Sequence, residues 1–410
     1  MTARSKAPSF EDVPEDLEPS PDCDLCSRAE SRAKVVFADT ADGETDYLVV
    51  LESPSAGDER YGYVGSGAHG DILRSITEEV GIDIDRVSIA PLVRCHAGDV
   101  NKGHWQACVP FLFADIKRIK PRIIITLGNP ALTALTGLTG ITAQRGNIYP
   151  DLPYGCPVVP TISLGMLFRS PASRVQLVAD FRKAKAFLEN KIVEPQTTEA
   201  HVARTVEEAE HFRNLLLRDA ERLAIDIETT GLNPFAANAR TLCFGASHMV
   251  GHGWVFPFYG QWARDIWTPK ELSHVRGFVR DICASDIPKD GSNLKFDISY
   301  LEATTGIQVE EFAFDCQYAF GVIDENSNHN LELMRSLFTQ MPRYDDFKDR
   351  YKTPKDKEDI RSSGYALFPE EELWKYQAAD ADCEFRVSLA LRKLLLDVSE
   401  GCGGLFSRIA

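Results

Sequence analysis

Four acidic residues and one tyrosine are spaced so that they could hold metal ions beside a reacting water. Asp226 and Glu228 stand two positions apart at the end of an apolar segment typical of a buried strand, where alternate residues share a face. Tyr376 and Asp380 are four apart in a helical pattern and share a helix face, and Asp297 lies between the two pairs in the sequence. Carboxylates this close are costly to ionise unless a cation sits between them.

Such a set of oxygen donors is typical of magnesium or manganese sites. Two ions about 3.5–4 Å apart can clamp the attacking water and the leaving oxygen of a phosphodiester, and Tyr376 would orient the water. Taken alone, an Asp-x-Glu pair is more often a solvated turn, and a Tyr-x-x-x-Asp pair is more often a surface feature. The presence of all three segments, in this order, favours metal-dependent chemistry.

The segments LAIDIETTGLNP, NLKFDISYL and YQAADADCEFRV resemble the three exonuclease motifs of the DEDD superfamily in its tyrosine-containing subtype. The similarity is greatest to the 3′→5′ proofreading domain of family A DNA polymerases and covers residues 205–398. It implies a ribonuclease-H-like fold and two Mg²⁺ or Mn²⁺ ions. Asp226 would bridge both ions, Glu228 and Asp380 would complete one site, and Asp297 would hold the second ion partly through water.

The same resemblance implies contacts with single-stranded DNA or a primer 3′ end. Leu232 matches the position that packs against the terminal base, and Asn293 matches a residue that touches the strand. Asp382 also follows the tyrosine closely, but only Asp380 has the spacing of the motif.

A second group of residues, four cysteines, lies in the first half of the chain. Cys23 and Cys26 form a Cys-x-x-Cys pair, and Cys95 and Cys108 form a second, wider pair. Four thiolates can hold tetrahedral zinc or a 4Fe–4S cluster, and spacing alone leaves both open. The other six of the ten cysteines are scattered, mostly in apolar contexts, and we expect them to pack as small hydrophobic residues.

The sequence around these cysteines, including CDLC, DYLVVLESP, VSIAPLVRC and IKPRIIITLGNPAL, resembles the family 4 uracil-DNA glycosylases over residues 20–190. The resemblance implies that Cys23, Cys26, Cys95 and Cys108 are ligands of a 4Fe–4S cluster. Zinc remains the alternative.

The glycosylase motifs themselves are altered. The first motif reads Leu-Glu-Ser-Pro-Ser from residue 51, without its glycines, and Tyr63 replaces a phenylalanine that stacks on uracil. Pro91 stands where the family has its uracil-reading asparagine, and Ser163 stands where it has a histidine. Proline has no side-chain donor or acceptor. We therefore expect a glycosylase-like scaffold that has lost base excision and serves DNA binding or structure. Tyr63 is a candidate DNA contact. Basic residues at 94–122 and 169–191 are candidate phosphate contacts, although helix surfaces are often basic.

The elements that must position these residues follow two strand–helix alternations. In the first half we predict strands at 47–51, 87–93, 123–127 and 158–160, with helices at 72–80, 106–119, 131–135 and 181–188. In the second half we predict strands at 223–227, 241–247 and 253–258, with helices at 269–282, 296–305, 331–337 and 369–395. The fold class is α/β, with a parallel-sheet α/β/α domain before a mixed-sheet domain.

Length, composition and charge restrict the possible classes of function. The chain has 410 residues, 44% of them hydrophobic, and a formal charge of −16, which excludes binding to nucleic acid through overall basicity. We find no membrane-spanning run and no signal peptide, and expect a cytoplasmic protein, in the host cell if a phage encodes it. The predicted organisation is a poorly ordered lead-in (1–22), the glycosylase-like domain (23–190), a linker (191–205), the exonuclease domain (206–398) and a tail (399–410).

This order of domains resembles the front of phage-type family A DNA polymerases, so a polymerase domain or subunit is the expected partner. Three functions compete. The first is a metal-dependent 3′→5′ exonuclease with an accessory DNA-binding domain. The second is a bifunctional repair enzyme that also excises uracil, and the third is a replication adaptor without catalysis.

Overall fold

A computed structural model describes residues 8–96, 99–194, 196–351 and 364–401. The chain divides into two compact units, residues 1–192 and 193–410. The predicted tail lies outside the described residues from residue 402 onward, as do residues 1–7 of the lead-in. Within the described part of the chain, no helix has the length and apolar character needed to cross a membrane.

The first unit is a parallel sheet between two layers of helices. Its strands have the order β2-β1-β3-β4, and every pair is parallel. Its elements are β1 (Tyr47–Leu51), α1 (Ala56–Tyr61), α2 (Ala68–Val80), β2 (Val87–Pro91), α3 (Lys102–Ile119), β3 (Ile123–Leu127), α4 (Asn129–Thr136), α5 (Ile141–Gln144), β4 (Val158–Thr161), α6 (Leu164–Arg169) and α7 (Arg174–Leu188).

Alternation along β1 explains the two layers. Val49 and its neighbours of the same parity pack against α2 and α7, whereas Leu48 and Val50 pack against α3 and α4. A strand that is apolar on both faces is typical of a covered parallel sheet, so this prediction is confirmed.

The N-terminal lead-in differs from its prediction. The Phe10 ring lies 5.5 Å from that of Phe113 and 4.9 Å from that of Tyr154, and Val13 is buried. The Lys117 ammonium donates to the backbone carbonyls of Glu11 and Val13. Two apolar side chains therefore fix a segment whose prolines and acidic residues had indicated disorder.

The second unit has a mixed sheet of order β10-β9-β6-β7-β8-β5. Its elements are β5 (Glu199–Val202), α8 (Val206–Asp219), β6 (Leu223–Thr229), β7 (Thr241–Ser247), β8 (His252–Pro257), α9 (Pro269–Cys283), β9 (Lys289–Gly291), α10 (Leu294–Thr305), β10 (Phe312–Asp315), α11 (Cys316–Ile323), α12 (Leu331–Phe338) and α13 (Glu370–Gly401).

Strand β7 is antiparallel to β6 and to β8, while the other pairs of this sheet are parallel. Ile225 and Ile227 join α8 and α9 in one core, and α13 crosses the opposite face of the sheet. The predicted mixed sheet is confirmed. Strand β5 lies inside the predicted linker, and α8 was not predicted.

Candidate nuclease and glycosylase-like sites

The nuclease candidate begins on β6. Ile225 and Ile227 alternate with Asp226 and Glu228 along the strand and point into the core on one face of the sheet. The two carboxylates therefore point to the other face, which α13 covers. On the neighbouring strand β7, Gly245 pairs with Asp226 and Cys243 pairs with Glu228. The strand therefore presents two carboxylates beside a position that has no side chain.

Two glycines let α13 approach this face closely. A Cβ on Gly245 would lie 2.4 Å from Nε2 of Gln377, and a Cβ on Gly253 would lie 2.2 Å from the carbonyl oxygen of Ala378. Gln377 uses the space to donate from Nε2 to Asp226 Oδ2 at 2.8 Å. The close contact brings Asp380 of the same helix over β6.

Three carboxylates converge where α13 meets β6. One oxygen each from Asp226, Glu228 and Asp380 lie within 4.8 Å of one another. Asp297, in the first turn of α10, is also buried, and its pKa is raised well above the usual range by burial and then by the charge of Asp226. Asp297 is not part of the close triad but lies in the same electrostatic neighbourhood.

Burial and mutual repulsion raise the pKa values of these carboxyl groups. Burial, then the charge of Asp380, raises the pKa of Asp226 to about 8. Burial, then the charges of Asp226 and Asp380, raises the pKa of Glu228 well above its usual value. The Lys348 ammonium opposes the rise at Asp226, Glu228 and Asp380. One lysine acts on three of these four carboxyl groups, which leaves a strong demand for positive charge that a divalent cation can meet.

Tyr376 lies one turn before Asp380 on α13 and is 8% exposed. Lys348 Nζ sits 3.7 Å from the centroid of its ring, and the Tyr365 ring stacks on it at 5.8 Å. Burial and then the charge of Asp380 raise the pKa of Tyr376 well above 10. The phenol therefore keeps its proton at neutral pH and acts as a hydrogen-bond donor.

Sequence reasoning missed several neighbours of the site. The Tyr344 hydroxyl donates to Asp380 Oδ1, and Lys348 Nζ donates to the Tyr365 hydroxyl at 3.1 Å. Tyr344 and Lys348 come from the segment before α13, and no local pattern links them to it. Together with Asp380 and Tyr376 they line a cavity of about 220 Å³.

A fifth buried carboxyl group, Glu384, follows Asp380 by one turn of α13. Its Oε1 accepts the backbone N–H of Ser292 at 3.1 Å, and its Oε2 has no hydrogen-bond partner among the described residues. Burial, then the charges of Asp226, Asp297 and Asp380, raises its pKa well above the usual value. The spacing of four residues on one helix face could have indicated it from the sequence.

Two of the residues predicted to touch DNA, Leu232 and Asn293, belong to this unit. Leu232, just beyond β6, is 84% exposed, and Phe235 three positions later is 85% exposed. Two large apolar side chains left in solvent are suited to stacking on a base. Asn293 is exposed at the start of α10, where its φ of 62° is left-handed. Asp382 instead pairs with Arg386 and accepts from Thr198, away from the triad.

In the first unit, the four cysteines come from three separated segments. Cys23 and Cys26 precede a short 3₁₀ helix, Cys95 follows β2, and Cys108 lies on α3. Cys95 interacts electrostatically with Cys23 and Cys26, and Cys108 with Cys26 and Cys95, which places the four thiols in one neighbourhood. Burial raises the pKa of Cys108 to about 11.

The spacing of these thiols bears on what they could hold. Around one tetrahedral zinc, sulfur atoms about 2.3 Å from the ion lie about 3.8 Å apart. No three of the four sulfurs lie within 4.8 Å of one another in the described part of the chain. In every set of three of these sulfurs, at least one pair therefore lies more than 4.8 Å apart.

The glycosylase-like pocket is a cavity of about 300 Å³ at the end of β1. Its wall includes Glu52, Ser163, His69 and His96. The structure thus brings two histidines to the wall, although neither occupies the sequence position of the family's histidine. Burial raises the pKa of Glu52 to about 7, against the opposing charge of Arg169.

Three residues singled out in this unit do not line the pocket. Tyr63 is 49% exposed, and Pro91 is buried at the end of β2 opposite Leu51. Arg94, in the predicted basic segment 94–122, is buried and pairs with Asp115. Arg94 is therefore a structural residue, and its prediction as a phosphate contact is wrong.

Comparisons with known proteins agree with the division into two units. Residues 37–189 match the model of the uracil DNA glycosylase superfamily, and residues 200–396 match that of the 3′–5′ exonuclease. The DNA polymerase of Bacillus phage SP01 is 27% identical over 369 residues, which is 83% of this chain but 39% of the phage protein. This chain therefore spans less than half the length of that relative.

The first unit also has separate relatives. The type-4 uracil-DNA glycosylase of Saccharolobus solfataricus is 29% identical over 180 residues, or 41% of this chain and 83% of the glycosylase. Among solved structures, Trypanosoma brucei RNase D in complex with RNA U12 gives a TM-score of 0.36 at 17% identity, covering 48% of this chain and 63% of the other. The chain consists of a domain of the uracil-DNA glycosylase superfamily followed by a 3′–5′ exonuclease domain.

Proposed function

We propose that the second unit hydrolyses nucleotides from the 3′ ends of DNA, as a proofreading-type nuclease in DNA replication. The observation that carries the proposal is the convergence of Asp226, Glu228 and Asp380 within 4.8 Å, with Tyr376 beside them. The phage relative is a DNA polymerase, so we propose a polymerase domain or subunit as partner and the host cytoplasm as the place of action.

The carboxylates would hold two Mg²⁺ or Mn²⁺ ions. Asp226, Glu228 and Asp380 fit one ion, and Asp226 with Asp297 fits the other, because all four donors are hard oxygens that resist ionisation without a cation. Bound ions would neutralise the charge that develops at the attacking and leaving oxygens of the phosphodiester.

The remaining residues orient the reactants. Tyr376 keeps its proton and would donate a hydrogen bond that positions the attacking water. Gln377 fixes the rotamer of Asp226 through its hydrogen bond. Leu232 and Phe235 offer apolar surface for the terminal base, and Asn293 would contact the strand.

The test uses 5′-labelled single-stranded DNA. We expect a ladder of shortened products in magnesium or manganese and none in EDTA. A ladder in EDTA would contradict metal dependence. Intact DNA in both metals would support the adaptor function instead.

For the first unit we propose a DNA-binding or structural role that includes a 4Fe–4S cluster held by Cys23, Cys26, Cys95 and Cys108. The cluster would join the N-terminal segment to α3 and β2. Anaerobically purified protein should contain about four irons per chain and be brown. Stoichiometric zinc without iron would favour the zinc alternative.

We further propose that this unit does not excise uracil. Pro91 offers no hydrogen bond to the base, and Ser163 is too short to replace a histidine beside the departing anion. Loss of one such donor typically lowers the rate by about 10²–10³-fold. The bifunctional repair enzyme remains the second candidate, because Glu52, His69 and His96 line the pocket. Release of free uracil over multiple turnovers by the Asp226→Ala protein would establish that candidate.

A further inference from the structure

Two histidines and a glutamate share one face of the sheet edge in the second unit. Strands β5 and β8 are parallel, and Glu199 pairs directly with His252 while His201 is two residues further along β5. Paired residues of neighbouring strands, and residues two apart on one strand, project to the same side. The ladder therefore places all three side chains together.

The donor atoms have the separations of a metal site. His201 Nε2 lies 3.1 Å from His252 Nδ1, and Glu199 oxygens lie 3.6 Å from His252 Nδ1 and 3.9 Å from His201 Nε2. Ligands about 2.0–2.1 Å from a tetrahedral zinc lie about 3.3 Å apart, so small side-chain movements would complete the geometry.

The surroundings hold the two imidazoles in place. The His201 ring stacks on Trp254 at 5.0 Å and is nearly parallel to the His252 ring at 5.4 Å. Their side chains are 26% and 29% exposed, and Glu199 is 66% exposed, so a cation could enter from solvent.

This cluster is separate from the nuclease candidate. Gly253 faces α13, as its contact with Ala378 requires, so its neighbours His252 and Trp254 face the other side of the sheet. His201 contacts Phe212 of α8 on that side, whereas Asp226 faces α13. The two donor sets also differ in kind, since imidazole favours zinc over magnesium.

We propose that Glu199, His201 and His252 bind one zinc ion that joins the edge strand β5 to β8, with a fourth position open to water. Strand β5 has four residues and pairs only with β8 among the described strands. A short edge strand gains stability from such a cross-link. The site therefore predicts zinc-dependent ordering of residues 199–202.

The test is zinc titration of the full chain in excess magnesium, with the variants His252→Gln and Glu199→Gln. The wild type should bind one zinc more tightly than either variant, and loss of the His252 ligand should cost at least the ~10–100-fold that loss of an outer-shell partner costs. His274→Gln, an exposed histidine on α9, is the matched control and should bind zinc as the wild type does. Taking differences between variants removes any zinc held by the four cysteines.

Hydrogen exchange supplies a second readout. Zinc should slow amide exchange in residues 199–202 of the wild type but not of His252→Gln, and magnesium-dependent nuclease activity checks that the variant is folded. Because Glu199 is exposed, its replacement should leave the fold intact. Equal zinc binding by the wild type and both variants, or unchanged exchange at β5, would overturn the proposal and leave a hydrogen-bonded histidine pair.

Discussion

Each unit contains a carboxyl group whose pKa is raised by burial: Glu52 in the first unit and Asp226 in the second. The surroundings of these two groups differ. No carboxylate contributes to the raised pKa of Glu52. The charge of Arg169 and a hydrogen bond from the backbone N–H of Asn129 both lower that pKa and so oppose the effect of burial. Asp226 faces other carboxylates and one lysine. Glu52 can become neutral by keeping a proton, whereas the group around Asp226 requires cations to become fully ionised.

The two sites also differ in how they are built. In the second unit, one helix delivers Tyr376, Gln377, Asp380 and Glu384 to one strand, so the relative positions depend on a single helix–sheet contact. In the first unit, the pocket wall is assembled from loops after β1, β2 and β4 together with the start of α2. A single contact makes the nuclease candidate sensitive to changes in packing.

The largest effect is expected for Asp226→Ala. In the proposed two-ion site Asp226 is shared by both ions, so its loss should remove several kcal/mol of transition-state stabilisation and slow nucleotide release by about 10³-fold or more. The measurement is single-turnover cleavage of labelled DNA. Asp281→Ala, an exposed acidic residue on α9, is the control. A loss of less than tenfold for Asp226→Ala would remove Asp226 from the site.

Tyr376→Phe should slow cleavage by about 10–1000-fold, since it removes a hydrogen bond that orients the water. The magnesium concentration that gives half-maximal activity should stay unchanged, because the four carboxylates remain. An altered magnesium requirement with an unchanged maximal rate would assign Tyr376 to metal-site structure instead.

Gly245→Ala tests the helix–sheet contact. The new methyl group would lie 2.4 Å from Gln377 Nε2, so α13 or Gln377 must move, and a displacement of about 1 Å can cost about 100-fold in rate. Gly277→Ala is the matched control, because its Cβ meets nothing within 4 Å and it lies inside α9. Similar activities for the two variants would show that the close approach is not required.

Magnesium should stabilise the second unit most at high pH. The folded pKa of Asp226, about 8, exceeds its usual value, so the metal-free folded state binds more protons than the unfolded chain between about pH 4 and 8. Metal-free stability should fall as pH rises through that window. Thermal midpoints in EDTA and magnesium should diverge by several degrees at pH 8 and little at pH 5, at about 2–4 °C per kcal/mol. An equal magnesium-induced increase in the thermal midpoint at both pH values would contradict the assignment of Asp226 as a metal ligand.

The smallest effect is expected for Glu52→Gln. Its folded pKa, about 7, is also raised, so the wild-type first unit should lose stability as pH rises from about 4.5 to 7. The neutral glutamine should remove that loss, and DNA trimming should be unchanged. The measurement is the thermal unfolding midpoint of this unit as a function of pH. A fall in trimming rate would instead link the pocket to the nuclease.

The sequence predicted the strongly apolar elements well. Strands β1, β3 and β7 have their predicted bounds, because continuous apolar or β-branched runs between turn residues leave little choice. Strand β9 was missed, because its three residues Lys289–Gly291 carry no apolar pattern and are held by neighbouring strands. Helix α8 could have been found, since Thr205 and Glu208 form a capping box.

Some residues of the candidate site could likewise be predicted from local sequence patterns, whereas others could not. Asp226 with Glu228, and Tyr376 with Asp380, were visible because two residues on a strand and four on a helix share a face. Tyr344 and Lys348 were not, because their contacts with Asp380 and Tyr376 span 28 or more positions and depend on tertiary packing. Asp297 was identified through its motif, and its distance from the close triad could only come from the structure.

The length of helix α13 makes small motions beside the carboxylates observable at its far end. Its 32 residues form a rod of about 48 Å at 1.5 Å per residue, with Asp380 in its first third. A rotation of about 10° around Asp380 would move Gly401, about 31 Å away along the axis, by about 5 Å. A sub-ångström adjustment beside the carboxylates therefore becomes a displacement of several ångströms at the far end. The position of a spectroscopic label near Gly401 would therefore report the orientation of α13 at the carboxylates, and the label itself would not contact the site.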